Sequence, residues 1–98
     1  MTDALIFDAV RTPRGKGKSD GSLHEVKPIT LAVTVLEALR QRTQLDTSQV
    51  DDVVMGIVTP IGDQGGCLPK IAALAAGWDW NACGMQLKRF CASGSEAL

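Results

Sequence analysis

The stretch of this sequence with the plainest chemical potential is "RFCASGSEAL", residues 89–98. Cys91 stands there between the bulky Phe90 and the small residues Ala92, Ser93 and Gly94. A thiolate, not a thiol, attacks a carbonyl carbon. Where a strand runs directly into a helix, a nucleophile on the turn meets free N–H groups and the positive end of the helix dipole, and both favour negative charge. Serine nucleophiles on sharp strand-to-helix turns use the same geometry. Small neighbours let a substrate come close, whereas Glu96 works against the thiolate, because a carboxylate in the first helical turn repels it. On spacing alone two readings stand: a nucleophile, or a structural cysteine packed as a small hydrophobe.

The other candidates are weaker. Cys67 lies in a Gly-rich turn and Cys83 in an irregular connection, so both read as structural cysteines. The single histidine, His24, sits in the loop "GSLHEV" and reads as a surface or local structural residue. Three widely spaced cysteines do not form a disulfide framework. No C-x-x-C pair occurs and no histidine is nearby, so no zinc-ligand set and no other metal site is expected.

The elements that would position Cys91 follow from periodicity. "ALIFDAV", residues 4–10, is a short apolar run that reads as a buried strand. "RTPRGKGKSDGS" is a loop by its Gly, Pro, Ser and charge content. In "KPITLAVTVLEALRQR", Ala32, Val35, Leu36 and Leu39 repeat at helical spacing, Pro28 suits the first turn, and Arg40 and Arg42 suit the last. "VDDVVMGIVTP", residues 50–60, reads as a second strand. "LPKIAALAAG", residues 68–77, reads as a helix with Gly77 at its C-terminal end. "MQLKRF", residues 85–90, reads as a third strand, and "CASGSEAL" opens a third helix. Alternating strands and helices imply an α/β fold with a parallel sheet, because parallel neighbours need crossover connections.

Composition narrows the function classes. The hydrophobic content is 45%, in the globular range, and the net charge is −1. Neither a nucleic-acid partner nor an anionic membrane surface is suggested. Arg11, Arg14, Lys16 and Lys18 cluster without interleaved aromatics and read as a solvated loop. No apolar run approaches transmembrane length, and the N-terminus lacks the pattern of a signal peptide. Without a disulfide framework, the three cysteines fit the reducing cytoplasm best.

At this point the residues resemble a known family. "RFCASGSEAL" is similar to the nucleophile motif of the thiolases, the acyl-CoA C-acyltransferases. "DAVRTPRGKGKSDGSLHEVKPITLA" resembles their N-terminal strand, loop and first helix, "VDDVVMGIVTPIGDQGG" their second strand and turn, and "IAALAAG" their second helix. The blocks occur in family order from about residue 4 to residue 98. The resemblance implies a thiolase-like α/β fold, with three strands alternating with helices in an incomplete half-sheet, and residues 1–98 forming the N-terminal part of a thiolase N-terminal domain. It also implies that Cys91 takes up the acyl group as a thioester. The reaction would be thiolytic cleavage of 3-ketoacyl-CoA, as in fatty-acid β-oxidation, or the reverse condensation of acetyl-CoA. Coenzyme A and acyl-CoA enter as substrates with no permanently bound cofactor, and the full-length protein would be a homodimer or homotetramer.

Three positions depart from the family pattern. Lys88 stands where Asn is common, Ser95 where a larger apolar residue is usual, and Lys70 where Arg is frequent. The family's activating histidine and second acid/base cysteine match nothing in these 98 residues. The chain taken alone is therefore expected to lack turnover. By resemblance, "ALIFDAV" would be an interior strand with one edge left unpaired, which favours association. Two other readings are a non-thiolytic relative on the same fold and a small thiol-based binding or redox module.

Overall fold

A computed structural model describes residues 2–98. Helix α1 spans Pro28–Thr43, strand β1 Asp52–Gly56, helix α2 Leu68–Ala75, strand β2 Cys83–Leu87 and helix α3 Ser93–Ala97. Single 3-10 turns at Thr47–Gln49 and Gly62–Gln64 lie on either side of β1. The strands pair in parallel, with Asp52 opposite Cys83 and Gly56 opposite Leu87. Helix α2 makes the crossover between them, as the alternating pattern requires. The α/β class and the parallel sheet are thus as the sequence implies.

The core forms where α1 meets α2. Ala32 and Leu36 of α1 pack with Ala72 and Ala73 of α2 and with Trp78, and Val53 and Met55 of β1 close the cluster from the sheet. Alanines on the facing side of α2 let the two helices approach. Arg40 at the end of α1 makes a bidentate ion pair with Glu37, at 3.0 and 2.7 Å. Helix α2 ends in a Schellman motif: Trp78 N–H donates to Ala73 O and Gly77 N–H to Leu74 O. Gly77 takes φ +74°, the left-handed conformation this closure needs.

Two close approaches bind α2 to the sheet. An added Cβ on Gly84 would lie 2.6 Å from Lys70 N, so only glycine lets β2 lie this near α2. The first N–H of α2, on Leu68, donates to Gln86 Oε1 of β2 at 3.0 Å. A side chain from the sheet therefore does the capping that Cys67, the N-cap residue, does not.

One expectation fails. Residues 4–10 form no strand, and the sheet of the described residues has two strands rather than three. Leu5, Ile6 and Phe7 are 72, 74 and 89% exposed. The physical reason lies in the segment's own pattern. Ala4, Ile6, Asp8 and Val10 fall on one face and Leu5, Phe7 and Ala9 on the other, so a strand here would present apolar residues on both faces and need cover on both. Among the described residues no layer covers both. Asp8 instead pairs with Arg42 at the end of α1, at 3.0 Å. The third expected strand does form, but at Cys83–Leu87 rather than at 85–90. No helix among the described residues is long and apolar enough to cross a membrane.

Candidate active site

Cys91 lies four residues beyond the end of β2 and two before the start of α3, as the strand-to-helix reading expects. It is exposed. The turn that presents it is tightly organised. Ala92 N–H donates to Arg89 O at 3.0 Å and Ser93 N–H to Phe90 O at 3.1 Å. Phe90 has φ +46°. A bulky side chain in that region is an outlier that its surroundings must enforce, at a cost of about 1–3 kcal/mol. The residue is 69% exposed, with Lys88 Nζ 4.6 Å from the ring centroid. Arg89 spans the turn to Glu96 at 3.1 Å, which turns that carboxylate toward a cation.

Ser93 supplies the enforcement. It is 1% exposed, the one buried polar residue among those described. Its Oγ accepts from Arg89 N–H at 2.8 Å and donates to Phe90 O at 2.7 Å. One hydroxyl thus ties together the backbone of the two residues that precede Cys91. From the other side, Gly56 at the end of β1 touches the same segment. A Cβ built on Gly56 would fall 2.6 Å from Gly94 N and closer still to the Ser93 carbonyl. The turn is therefore held between its own buried hydroxyl and the bare Cα of the neighbouring strand.

An open cavity lies beside the carboxyl end of β1. Met55, Gly56, Ile57, Val58 and Thr59 line it, together with Pro28 and Leu31 from the start of α1. Parallel sheets bind ligands at the carboxyl ends of their strands, the end at which Cys91 also stands. The remaining candidates lie elsewhere. Cys67 donates its thiol to Gly84 O at 3.3 Å, a structural contact between α2 and β2. Cys83 is the first residue of β2 and is exposed. His24 Nδ1 lies 3.0 Å from Gly17 O within its own loop, and its other ring nitrogen faces Glu25 at 3.9 Å. Among the described residues no group of three or more His, Cys, Asp or Glu is placed to hold a metal ion.

Sequence reasoning placed Cys91 but missed Ser93 and Gly56. Ser93 reads in sequence as a small residue that admits substrate, yet it is buried. A hydroxyl at the start of a helix, where such side chains commonly bond nearby backbone, was the signal available.

Parallel strands, a crossover helix and an exposed cysteine on a strand-to-helix turn define an α/β protein with a candidate thiol nucleophile. The sequence pattern described as "Thiolase, N-terminal domain" matches residues 4–98, and the chain belongs to the thiolase family. It is 38% identical over 98 residues to a steroid 3-ketoacyl-CoA thiolase of Mycobacterium tuberculosis, covering 100% of this chain and 24% of that protein. It is 38% identical over 97 residues to a β-ketoadipyl-CoA thiolase of Pseudomonas knackmussii, covering 98% of this chain and 24% of that one. The crystal structure of the Bacillus anthracis acetyl-CoA acetyltransferase matches with a TM-score of 0.68 at 33% identity, over 78% of this chain and 19% of that chain. The chain thus spans about a quarter of the length of the curated relatives it matches.

Proposed function

We propose that the protein is an acyl-CoA C-acyltransferase in which Cys91 carries the acyl group. The observation that supports this most is the family match through residue 98, which takes in the strand-to-helix turn with its exposed cysteine. In the proposed reaction the Cys91 thiolate attacks the C3 carbonyl of a 3-ketoacyl-CoA. The bond from Cys91 Sγ to C3 forms and the C2–C3 bond breaks. Its electron pair leaves on C2 of acetyl-CoA, which takes up a proton. The thiolate of free coenzyme A then attacks the Cys91 thioester and leaves with the shortened acyl group. Covalent catalysis divides one carbon–carbon step into two easier ones.

Substrates of this reading are coenzyme A and its acyl thioesters, with a homo-oligomer as the working form. The 98 residues present the nucleophile without an imidazole bonded to it, since His24 is engaged in its own loop. Turnover in this reading needs a base and a second acid that these residues do not supply. The test is acyl trapping. The protein carrying this sequence is incubated with a 3-ketoacyl-CoA, quenched in acid and mapped by mass. The expected result is one acyl group on the peptide containing Cys91, discharged by free coenzyme A and absent from Cys91→Ser. An acyl group on another residue, or none, would overturn the proposal.

A further inference from the structure

We infer that Ser93 is a positioning residue for acyl transfer at Cys91, a role that rests on Cys91 being the acyl-carrying nucleophile. The geometry points to it from three independent directions. First, Ser93 Oγ bridges Arg89 N–H and Phe90 O, one group from each of the two residues immediately before the cysteine. Second, the chain between the two bridged groups contains the φ torsion of Phe90, at +46°, a conformation that relaxes to an ordinary one if it is not held. Third, Ser93 is 1% exposed and its carbonyl lies against Gly56, so its hydroxyl has a fixed origin from which to hold the turn.

The consequence is chemical rather than only structural. Acyl transfer needs Sγ on the trajectory to a carbonyl carbon held by the rest of the site, and about 1 Å of misplacement costs on the order of 100-fold in rate. Alkylation by a small diffusing reagent has no such requirement, because the reagent reaches an exposed thiol from many directions. The two reactions at one sulfur therefore separate position from intrinsic reactivity. Ser93→Ala removes both side-chain hydrogen bonds, leaves Phe90 O with only the Ser93 N–H bond and Arg89 N–H without its partner, so the hold on the left-handed Phe90 weakens, and keeps the volume of the site nearly constant.

The experiment compares wild type, Ser93→Ala and Leu36→Ala. The last is a core truncation in α1 that destabilises without touching the turn. Each is made in the whole protein that carries these 98 residues and is given acetyl-CoA, and formation of acetyl-Cys91 is followed by rapid acid quench and mass. In this step Cys91 Sγ bonds the acetyl carbon, the thioester bond to coenzyme A breaks, and coenzyme A leaves with the thiol proton. Alkylation of Cys91 by iodoacetamide is measured in parallel. The expected result is acetylation slowed about 100-fold in Ser93→Ala, with alkylation unchanged and Leu36→Ala acetylating at the wild-type rate. Equal acetylation of Ser93→Ala and wild type would overturn the inference, as would an equal loss in Leu36→Ala. A wild-type protein that never acetylates Cys91 would instead overturn the nucleophile reading itself.

Discussion

Gly56→Ala is the sharpest probe of how the sheet places the cysteine. The new methyl would sit 2.6 Å from Gly94 N, and nearer to the Ser93 carbonyl, where ordinary contact begins at about 3.4 Å. The β1 end and the α3 start must therefore part by about 0.8 Å at Gly94 and by more at Ser93. Both sides of this contact are backbone, so no side chain can swing away. Overpacking of this kind costs about 1–3 kcal/mol. Alanine recovers about 0.4–1 kcal/mol by restricting the unfolded chain, leaving a net loss of roughly 1–2 kcal/mol. A displacement approaching 1 Å at the nucleophile's turn should also slow acyl transfer to Cys91, by up to about 100-fold. Urea denaturation gives the first quantity and the acid-quench assay the second. A Gly56→Ala protein with the wild-type midpoint and the wild-type acetylation rate would refute the argument, since it would show that β1 and α3 do not bear on each other.

Two further outcomes follow from contacts away from the cysteine. Lys70→Met removes the ammonium that donates to the Trp80 and Ala82 carbonyls, the latter at 2.6 Å, and should cost about 1–3 kcal/mol in urea denaturation, with Lys70→Arg recovering most of it. The Arg40 hydrogen bond and charge hold the Glu37 carboxyl below its ordinary 4.5, so the stability it adds is present above that value and is lost as pH falls through the lower folded-state value. Glu37→Gln should therefore flatten the decline of the melting temperature below about pH 4.5, and an unchanged acid slope would show the pair to be inert.

Much of the architecture was readable from pattern alone. The helical spacing of Ala32, Val35, Leu36 and Leu39 marked α1, and Ala32 and Leu36 are its buried residues. Gly77 marked the end of α2 because it accepts a positive φ, and Pro69 stands in the first turn, where φ is fixed and no donor is needed. What pattern could not supply was anything decided by a distant partner. "ALIFDAV" has strand composition, but a strand exists only where a ladder and two covering layers meet it, and composition is silent on both. Strand β2 begins at Cys83 because Asp52 of β1 sits opposite, a register no local signal encodes. At the site the thiol was legible and its restraint was not. Ser93 and Gly56 are 37 positions apart in sequence (93 − 56), and their contact is visible only once β1 and α3 are packed.

The register of the two strands also sets an order of assembly. Asp52 and Cys83 are 31 positions apart (83 − 52), and every residue of the Cys91 turn lies beyond β2. Closing that length of chain costs about 3 kcal/mol in entropy before the ladder returns anything. Helix α2 offsets part of that cost, because folding it shortens the span and brings Gly84 against Lys70. The turn can be clamped only after this crossover has closed, since Gly56 forms one of its two jaws. Any molecule whose crossover is open carries Cys91 on a loose chain. The geometry of the thiol thus presupposes the closed crossover, and a chain that presents it correctly has formed its sheet.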